Sequence, residues 1–163
     1  MPLDVGCGCL RGGIRFIRYL KPGHYLGMDK EALLLEAGER ELGPDLLPAK
    51  GHELLASGSF AFERFSHRPQ WALAESLFTH LYRRGIERCL HRLRRIILPG
   101  GAFYATFFEA SSPNQNPRVS HSLGYFAYTR EEMEGFGARR GWQPHYVGEW
   151  RHPRDQRMML FRA

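Results

Sequence analysis

The chain has 163 residues, 43% of them hydrophobic and 25% charged, which suits one soluble domain over residues 1–163 with apolar side chains enough for a real core. No apolar run nears the roughly 20 residues that a bilayer span demands, and Met1-Pro2-Leu3-Asp4 opens without a basic segment and apolar core, so no signal peptide is visible and the cytoplasm is the expected location. A net charge of +6 and a pI near 9.5 make nucleic acid a possible partner, but charge alone does not favour it over a small molecule.

Residues 3–5 form a short apolar strand that stops at Gly6-Cys7-Gly8. After Gly12-Gly13, Ile14, Ile17 and Leu20 recur at helical spacing until Pro22-Gly23. Tyr25-Leu26-Gly27-Met28 reads as a second strand closed by Asp29, and Ala32, Leu33, Glu36 and Ala37 as a second helix stopped by Gly43-Pro44. Residues 45–59 carry no clear signal. Alternation across residues 60–65 predicts a third strand, and Trp71-Ala72-Leu73-Ala74 a fourth. A helix over 86–98 puts Ile86, Cys89, Leu90, Leu93, Ile96 and Ile97 on one face. Pro99-Gly100-Gly101 turns the chain into a strand over 102–108, followed by a polar loop, 111–122. Thr129-Arg130-Glu131-Glu132 reads as a capping box that opens another helix. Two last strands, near 145–150 and 157–161, flank a turn at His152-Pro153-Arg154-Asp155.

Strands alternating with helices predict an α/β three-layer sandwich around a mostly parallel sheet. The last two strands have no helix between them, so they are expected to pair antiparallel. Three cysteines do not make a disulfide framework. Cys7-x-Cys9 lacks the second pair that would complete a four-ligand metal site, and no metal is expected. Arg83, Arg84, Arg88, Arg92, Arg94 and Arg95 surround one amphipathic helix. A solvated helix face accounts for them as well as a phosphate track does.

Two segments carry chemistry. In Asp4-Val5-Gly6-Cys7-Gly8, the glycines let a ligand approach the backbone, and the helix behind them offers unpaired N–H groups. Asp29 ends the second strand about 20 residues later, the spacing at which an acid accepts hydrogen bonds from ribose hydroxyls; a helix N-cap is its plainer reading.

These segments resemble the first two motifs of class I S-adenosylmethionine-dependent methyltransferases. Trp71-Ala72-Leu73-Ala74-Glu75-Ser76-Leu77-Phe78-Thr79-His80-Leu81 is similar to the fourth-strand motif of a bacterial branch of that family, and Leu98-Pro99-Gly100-Gly101 to the Pro-Gly-Gly turn before its fifth strand. The resemblance implies a Rossmann-like fold with a seven-stranded sheet, its last strand inserted antiparallel, and S-adenosylmethionine as cofactor. Asp4 belongs to the first motif, where Gly6, Cys7 and Gly8 would contact the methionine part. Asp29 would hold the ribose hydroxyls, with Lys30 near the adenine, which Ser59 or Phe60 would border. Glu75, Ser76 and Leu77 would lie by the sulfonium end.

Two departures stand out: Leu10 replaces the third glycine of the first motif, and Gln70 the acid before the fourth strand. Because the first strand opens the chain, the family's N-terminal cover helix is expected to be absent, its work falling to another segment or chain. His80 is the candidate catalytic base, open also to a capping or core role, and Glu75 would orient the methyl donor or the acceptor. In the loop after the fifth strand, His121, Tyr125 and Tyr128 would line an acceptor pocket. Trp150, His152, Arg154 and Gln156 are read as structural or as an interface, far from the cofactor edge. The expected acceptor is an oxygen or nitrogen of a small molecule, with the oligomeric state open. An NAD(P)-dependent oxidoreductase and a non-catalytic binding protein of the same fold are the alternatives.

Overall fold

The computed structural model describes residues 1–43 and 49–163. Five strands line up in parallel, the inner ones largely apolar: β1 (Pro2–Val5), β2 (Leu26–Asp29), β3 (Glu53–Ala56), β4 (Trp71–Ala74) and β5 (Ala102–Glu109). A two-residue strand, β6 (Ala127–Tyr128), pairs with the far end of β5 at Phe108 and Glu109. β7 (Gln143–Glu149) and β8 (Arg157–Arg162) form an antiparallel hairpin, and β8 also pairs antiparallel with β5. The order is β3-β2-β1-β4-β5-β8-β7, with β6 as an eighth strand off that path. The predicted seven-stranded, mostly parallel sheet with an inserted last strand is therefore present.

Four α-helices lie wholly within the described residues: α1 (Gly13–Tyr19), α2 (Ala32–Leu42), α3 (Arg83–Ile96) and α4 (Arg130–Ala138). Their apolar stripes bury against the sheet: in α3, Ile86, Cys89, Leu90 and Leu93 have no exposed surface. The capping box before α4 forms, with Glu132 N–H donating to Thr129 Oγ1 at 3.2 Å and Thr129 N–H to Glu132 Oε2 at 2.9 Å. Such a cap stabilises a helix by about 1 kcal/mol. Pro144 is tolerated because β7 is an edge strand, and Gly148, at φ +80°, sits at the bulge that shifts its pairing with β8.

The strand expected over 60–65 does not form. β3 lies earlier, inside the stretch that carried no signal, while residues 45–48 of that stretch, like Pro44 before them, lie outside the described residues. Phe62 and Phe65 are both buried, a spacing of three that suits the 3₁₀ turn found at Phe62–Arg64. Aromatic alternation imitated a strand where the chain winds tightly.

After β1 the chain builds β2 and β3 on one side, then crosses back to add β4 and β5 on the other. This reversal opens a crevice at the carboxyl ends of β1 and β4, where open α/β sheets bind ligands. Among the described residues, no helix is long and apolar enough to cross a membrane.

Candidate functional site

The turn after β1 is clamped from below. Gly6 and Cys7 both donate their N–H to the Met28 carbonyl, at 2.7 and 3.1 Å, which holds the turn over the end of β2. Gly6 and Gly8 have φ of +78° and +53°, a region that glycine enters without steric cost. A Cβ on Gly6 would stand 3.0 Å from Leu77 Cδ1, whereas one on Gly8 would meet nothing within 4 Å. Gly8 donates its N–H to Asp29 Oδ2 at 2.9 Å, and Asp29 Oδ1 accepts from Glu31 N–H at 3.0 Å. One carboxylate thus joins the glycine turn to the approach of α2.

Leu10, standing where the third glycine was expected, takes the glycine-like φ of +62°. That conformation costs an L-residue about 1–2 kcal/mol. Burying its side chain beside Ile17, Tyr25 and Leu42 returns about 1.5–3 kcal/mol, so packing outweighs strain.

Asp4 lies beneath the turn. Burial, opposed by a 2.8 Å hydrogen bond from the Tyr25 hydroxyl and reinforced by the charges of Glu75 and Asp29, raises its carboxyl to about 6. Tyr25 reaches it only because residue 13 is glycine: a Cβ there would collide with the phenol oxygen. Tyr25 was not among the expected site residues, although the Gly12-Gly13 pair was its trace in the sequence.

Beyond β4, Ser76 has φ +57°. Its N–H donates to Thr106 Oγ1 at 2.7 Å, and its hydroxyl accepts from Gln156 Nε2 at 2.9 Å. Thr106 in turn donates to Gln156 Oε1 at 2.6 Å. The final hairpin therefore returns to the carboxyl edge of the sheet, which corrects the expectation that Trp150, His152, Arg154 and Gln156 lie far from it. The antiparallel course of β8 brings its N-terminal end beside the carboxyl end of β5. His152 Nδ1 accepts from Arg154 N–H at 3.2 Å, so Nε2 carries the hydrogen that faces Glu75, 3.8 Å away.

These parts border one cavity of about 1600 Å³, larger than the roughly 300–1000 Å³ usual for one small ligand. Asp4, Gly6, Cys7, Gly8, Asp29 and Lys30 line one side, and Glu75, Ser76, Leu77 and His80 its floor. Phe60, at φ +60°, also lines it, as do Trp150, His152 and Arg154. Two of the non-glycine residues at positive φ, Phe60 and Ser76, thus sit on its wall. The far wall comes from α3 and the 118–122 loop, including Arg84, Arg88, Arg118 and His121.

Tyr125 and Tyr128 do not reach the cavity lining. Tyr125 is 67% exposed, with its ring near His80, while Tyr128 is buried with its hydroxyl donating to the Leu81 carbonyl at 2.8 Å. Among the described residues, no group of three or more His, Cys, Asp or Glu side chains could hold a metal. Burial holds the Cys7 thiol well above its usual range, the opposite of a reactive thiolate. A second hollow, of about 420 Å³, is lined by Glu109, Arg130, Glu131, Asp155 and Arg157. Arg157 there is paired with Asp155 and Glu109, and Arg130 with Glu134, so it is a surface ion-pair network without a built cradle.

No protein-family model matches the chain, and no curated protein matches it in sequence. Solved structures do match in shape. Magnesium protoporphyrin IX methyltransferase from Synechocystis PCC 6803, with S-adenosylhomocysteine bound, superposes at TM-score 0.74 and 8% identity, covering 100% of this chain and 74% of its own. A glycopeptide N-methyltransferase complexed with S-adenosylhomocysteine matches at TM-score 0.76 and 11% identity, over 99% of this chain and 82% of its own. An amino pentose methyltransferase from Micromonospora echinaspora, with S-adenosylmethionine bound, gives 0.71 and 16% over the same shares. At these identities the likeness is one of fold: the chain has the Rossmann-like fold of class I methyltransferases.

Proposed function

We propose that this chain binds S-adenosylmethionine in the large cavity and transfers its methyl group to an oxygen or nitrogen of a small molecule. The observation that carries this reading is the bond from Gly8 N–H to Asp29, which joins the two sequence motifs at the rim of that cavity. The residues fit the cofactor. Gly8 leaves open space where a side chain would stand. Asp29 uses two of its roughly four acceptor sites on backbone N–H groups, leaving capacity for hydroxyls. The cavity has room for more than one small ligand. The similar structures hold S-adenosylmethionine or S-adenosylhomocysteine, and their names point to a magnesium porphyrin, a glycopeptide and an amino pentose as acceptors, which supports a small-molecule acceptor here.

Bound there, the cofactor supplies a methyl carbon made electrophilic by a positively charged sulfur. The backbone of Gly6, Cys7 and Gly8 would hold its methionine part, and Asp29 its ribose, with Lys30 and Phe60 beside the adenine. The carboxylates of Asp4 and Glu75 favour a cation nearby, with Ser76 and Leu77 beside them. His80 Nδ1 faces the Gly124 carbonyl at 2.9 Å. A carbonyl only accepts, so Nδ1 carries the hydrogen and Nε2 is left to take a proton from the acceptor. His121 lines the acceptor end.

Calorimetric titration with S-adenosylhomocysteine tests the reading. Micromolar binding is expected, weakened about a hundredfold in Asp29→Ala, the weight of two lost charge-assisted hydrogen bonds. A folded protein, verified by circular dichroism, that takes up no S-adenosylhomocysteine overturns it.

A further inference from the structure

The arginines of α3 are not equivalent. Arg92 pairs with Glu63 at 3.1 Å. Arg94 donates to the Gly141 carbonyl at 2.9 Å and lies over the Trp142 ring. Arg83 covers the Tyr82 ring. Glu87, the one acid of the helix, is held by Arg139 at 2.7 Å and Arg140 at 2.9 Å. Arg84 and Arg88, one turn apart on α3, line the cavity, and among the described residues neither has an ion-pair partner.

A third unpaired arginine joins them from the loop. Ser120 Oγ accepts the Tyr82 N–H at 2.9 Å, and a Cβ on Gly85 would stand 3.1 Å from that same oxygen. The loop is therefore seated on the first turn of α3, with Arg118 two residues away and also lining the cavity. The carboxylates that line the cavity, Asp4, Asp29, Glu31 and Glu75, belong to β1, β2 and the turns that leave β2 and β4, and none to this wall. Three guanidiniums with no acid among them repel one another and oppose the positive end of the helix dipole. A bound anion relieves both.

We infer that the methyl acceptor is a small organic anion, carrying a carboxylate or phosphate that Arg84, Arg88 and Arg118 hold. This rests on the methyltransferase reading of the cavity. Guanidinium forks suit either anion, because both offer paired oxygens. The anionic group anchors on the α3 wall, leaving the nucleophilic atom to face His80 and the opposite wall. Nucleic acid is disfavoured because Arg83, Arg92 and Arg94 are spent on Glu63, Gly141 and aromatic rings, leaving Arg95 alone on the outer face of the helix, among the described residues, rather than a track.

The test uses protein saturated with S-adenosylhomocysteine, so that the parent reading is checked first and separately. Inorganic pyrophosphate is then titrated into wild type, the double variant Arg84→Gln/Arg88→Gln, and Arg95→Gln on the same helix outside the cavity lining. Pyrophosphate is expected to bind the wild type and Arg95→Gln within about twofold of each other, and the double variant about tenfold or more weaker, with S-adenosylhomocysteine affinity unchanged in all three. Protein that binds S-adenosylhomocysteine but not pyrophosphate overturns the inference, as does an equal loss in Arg95→Gln. Single-stranded RNA that binds through Arg84 and Arg88 and is not displaced by pyrophosphate also overturns it, in favour of a polymer. Failure to bind S-adenosylhomocysteine at all strikes the parent reading instead.

Discussion

On the glycine-turn side of the cavity, the centre of the wall is backbone: Gly6, Cys7 and Gly8 are held by the Met28 carbonyl and by one Asp29 carboxylate, with a buried acid beneath, and Arg11, Arg15 and Lys30 stand at its edge among the acids Asp29 and Glu31. On the side of α3 and the 118–122 loop, the wall is side chains, exposed arginines standing on a helix and a polar loop. The first wall is set by backbone geometry, and a change in its hydrogen bonds would reach the fold. The arginines of the second stand exposed and can change with little effect on the fold. If the cavity binds as proposed, the first wall would hold the constant ligand and the second the variable one.

The contrast can be put under strain from the rigid side. Asp4→Asn is expected to have the largest effect on stability, and a stabilising one. The Asp4 carboxyl titrates at about 6 when folded, against an ordinary 3.8, so the folded state binds this proton more tightly than the unfolded state does. The cost of ionising it is absent below pH 3.8, grows as the pH rises to 6, and is full above that, about 3 kcal/mol at neutral pH. Urea unfolding at several pH values should therefore show the variant gaining over wild type between pH 4 and 7; a gain independent of pH would mean that Asp4 is not the strained group.

Next in size is Gly38→Ala. A Cβ there would lie 2.9 Å from both the carbonyl carbon and oxygen of Cys9, and backbone cannot step aside as a flexible side chain does. Overpacking of this kind costs about 2 kcal/mol. Because α2 would then push the glycine turn, affinity for S-adenosylhomocysteine should fall as well, although residue 38 lines no part of the cavity. An unchanged affinity would show that the turn is less rigid than its hydrogen bonds suggest.

The smallest effect is expected on the charged wall. Arg118→Gln removes an exposed side chain with no ion-pair partner among the described residues. Its unfolding free energy should match wild type within about 0.5 kcal/mol. A larger loss would place Arg118 in the architecture rather than in recognition.

The same contrast explains what could be read from the sequence. Gly6, Gly8 and Asp29 were legible because positive φ and strand-end carboxylates restrict the choice of residue, and the restriction is local. The capping box at Thr129 was legible for the same reason. Gln156 was not: its partners Ser76 and Thr106 lie 80 and 50 residues away, and a glutamine between two strands has no local signature. Arg84 and Arg88 were visible only as members of a basic helix, since their separation from Arg92 and Arg94 depends on what Glu63, Gly141 and Trp142 occupy. Tyr125 and Tyr128 were grouped with His121 by nearness in sequence, but the chain turns between them, leaving one on the surface and one in the core.

The tie between Ser76 and Gln156 also has a bearing on synthesis. A chain growing from its N-terminus makes the glycine turn, Asp29 and the Glu75-Ser76-Leu77 segment within its first 77 residues. Ser76 is fastened in its left-handed conformation only once Gln156 has been made and β8 has slotted between β5 and β7. Contacts that span so much chain are closed late in folding. A nascent chain halted before residue 156 would carry the glycine turn and Asp29 yet lack the closure that ties Ser76, so the carboxyl edge of the sheet would be completed at the end of folding rather than at its start.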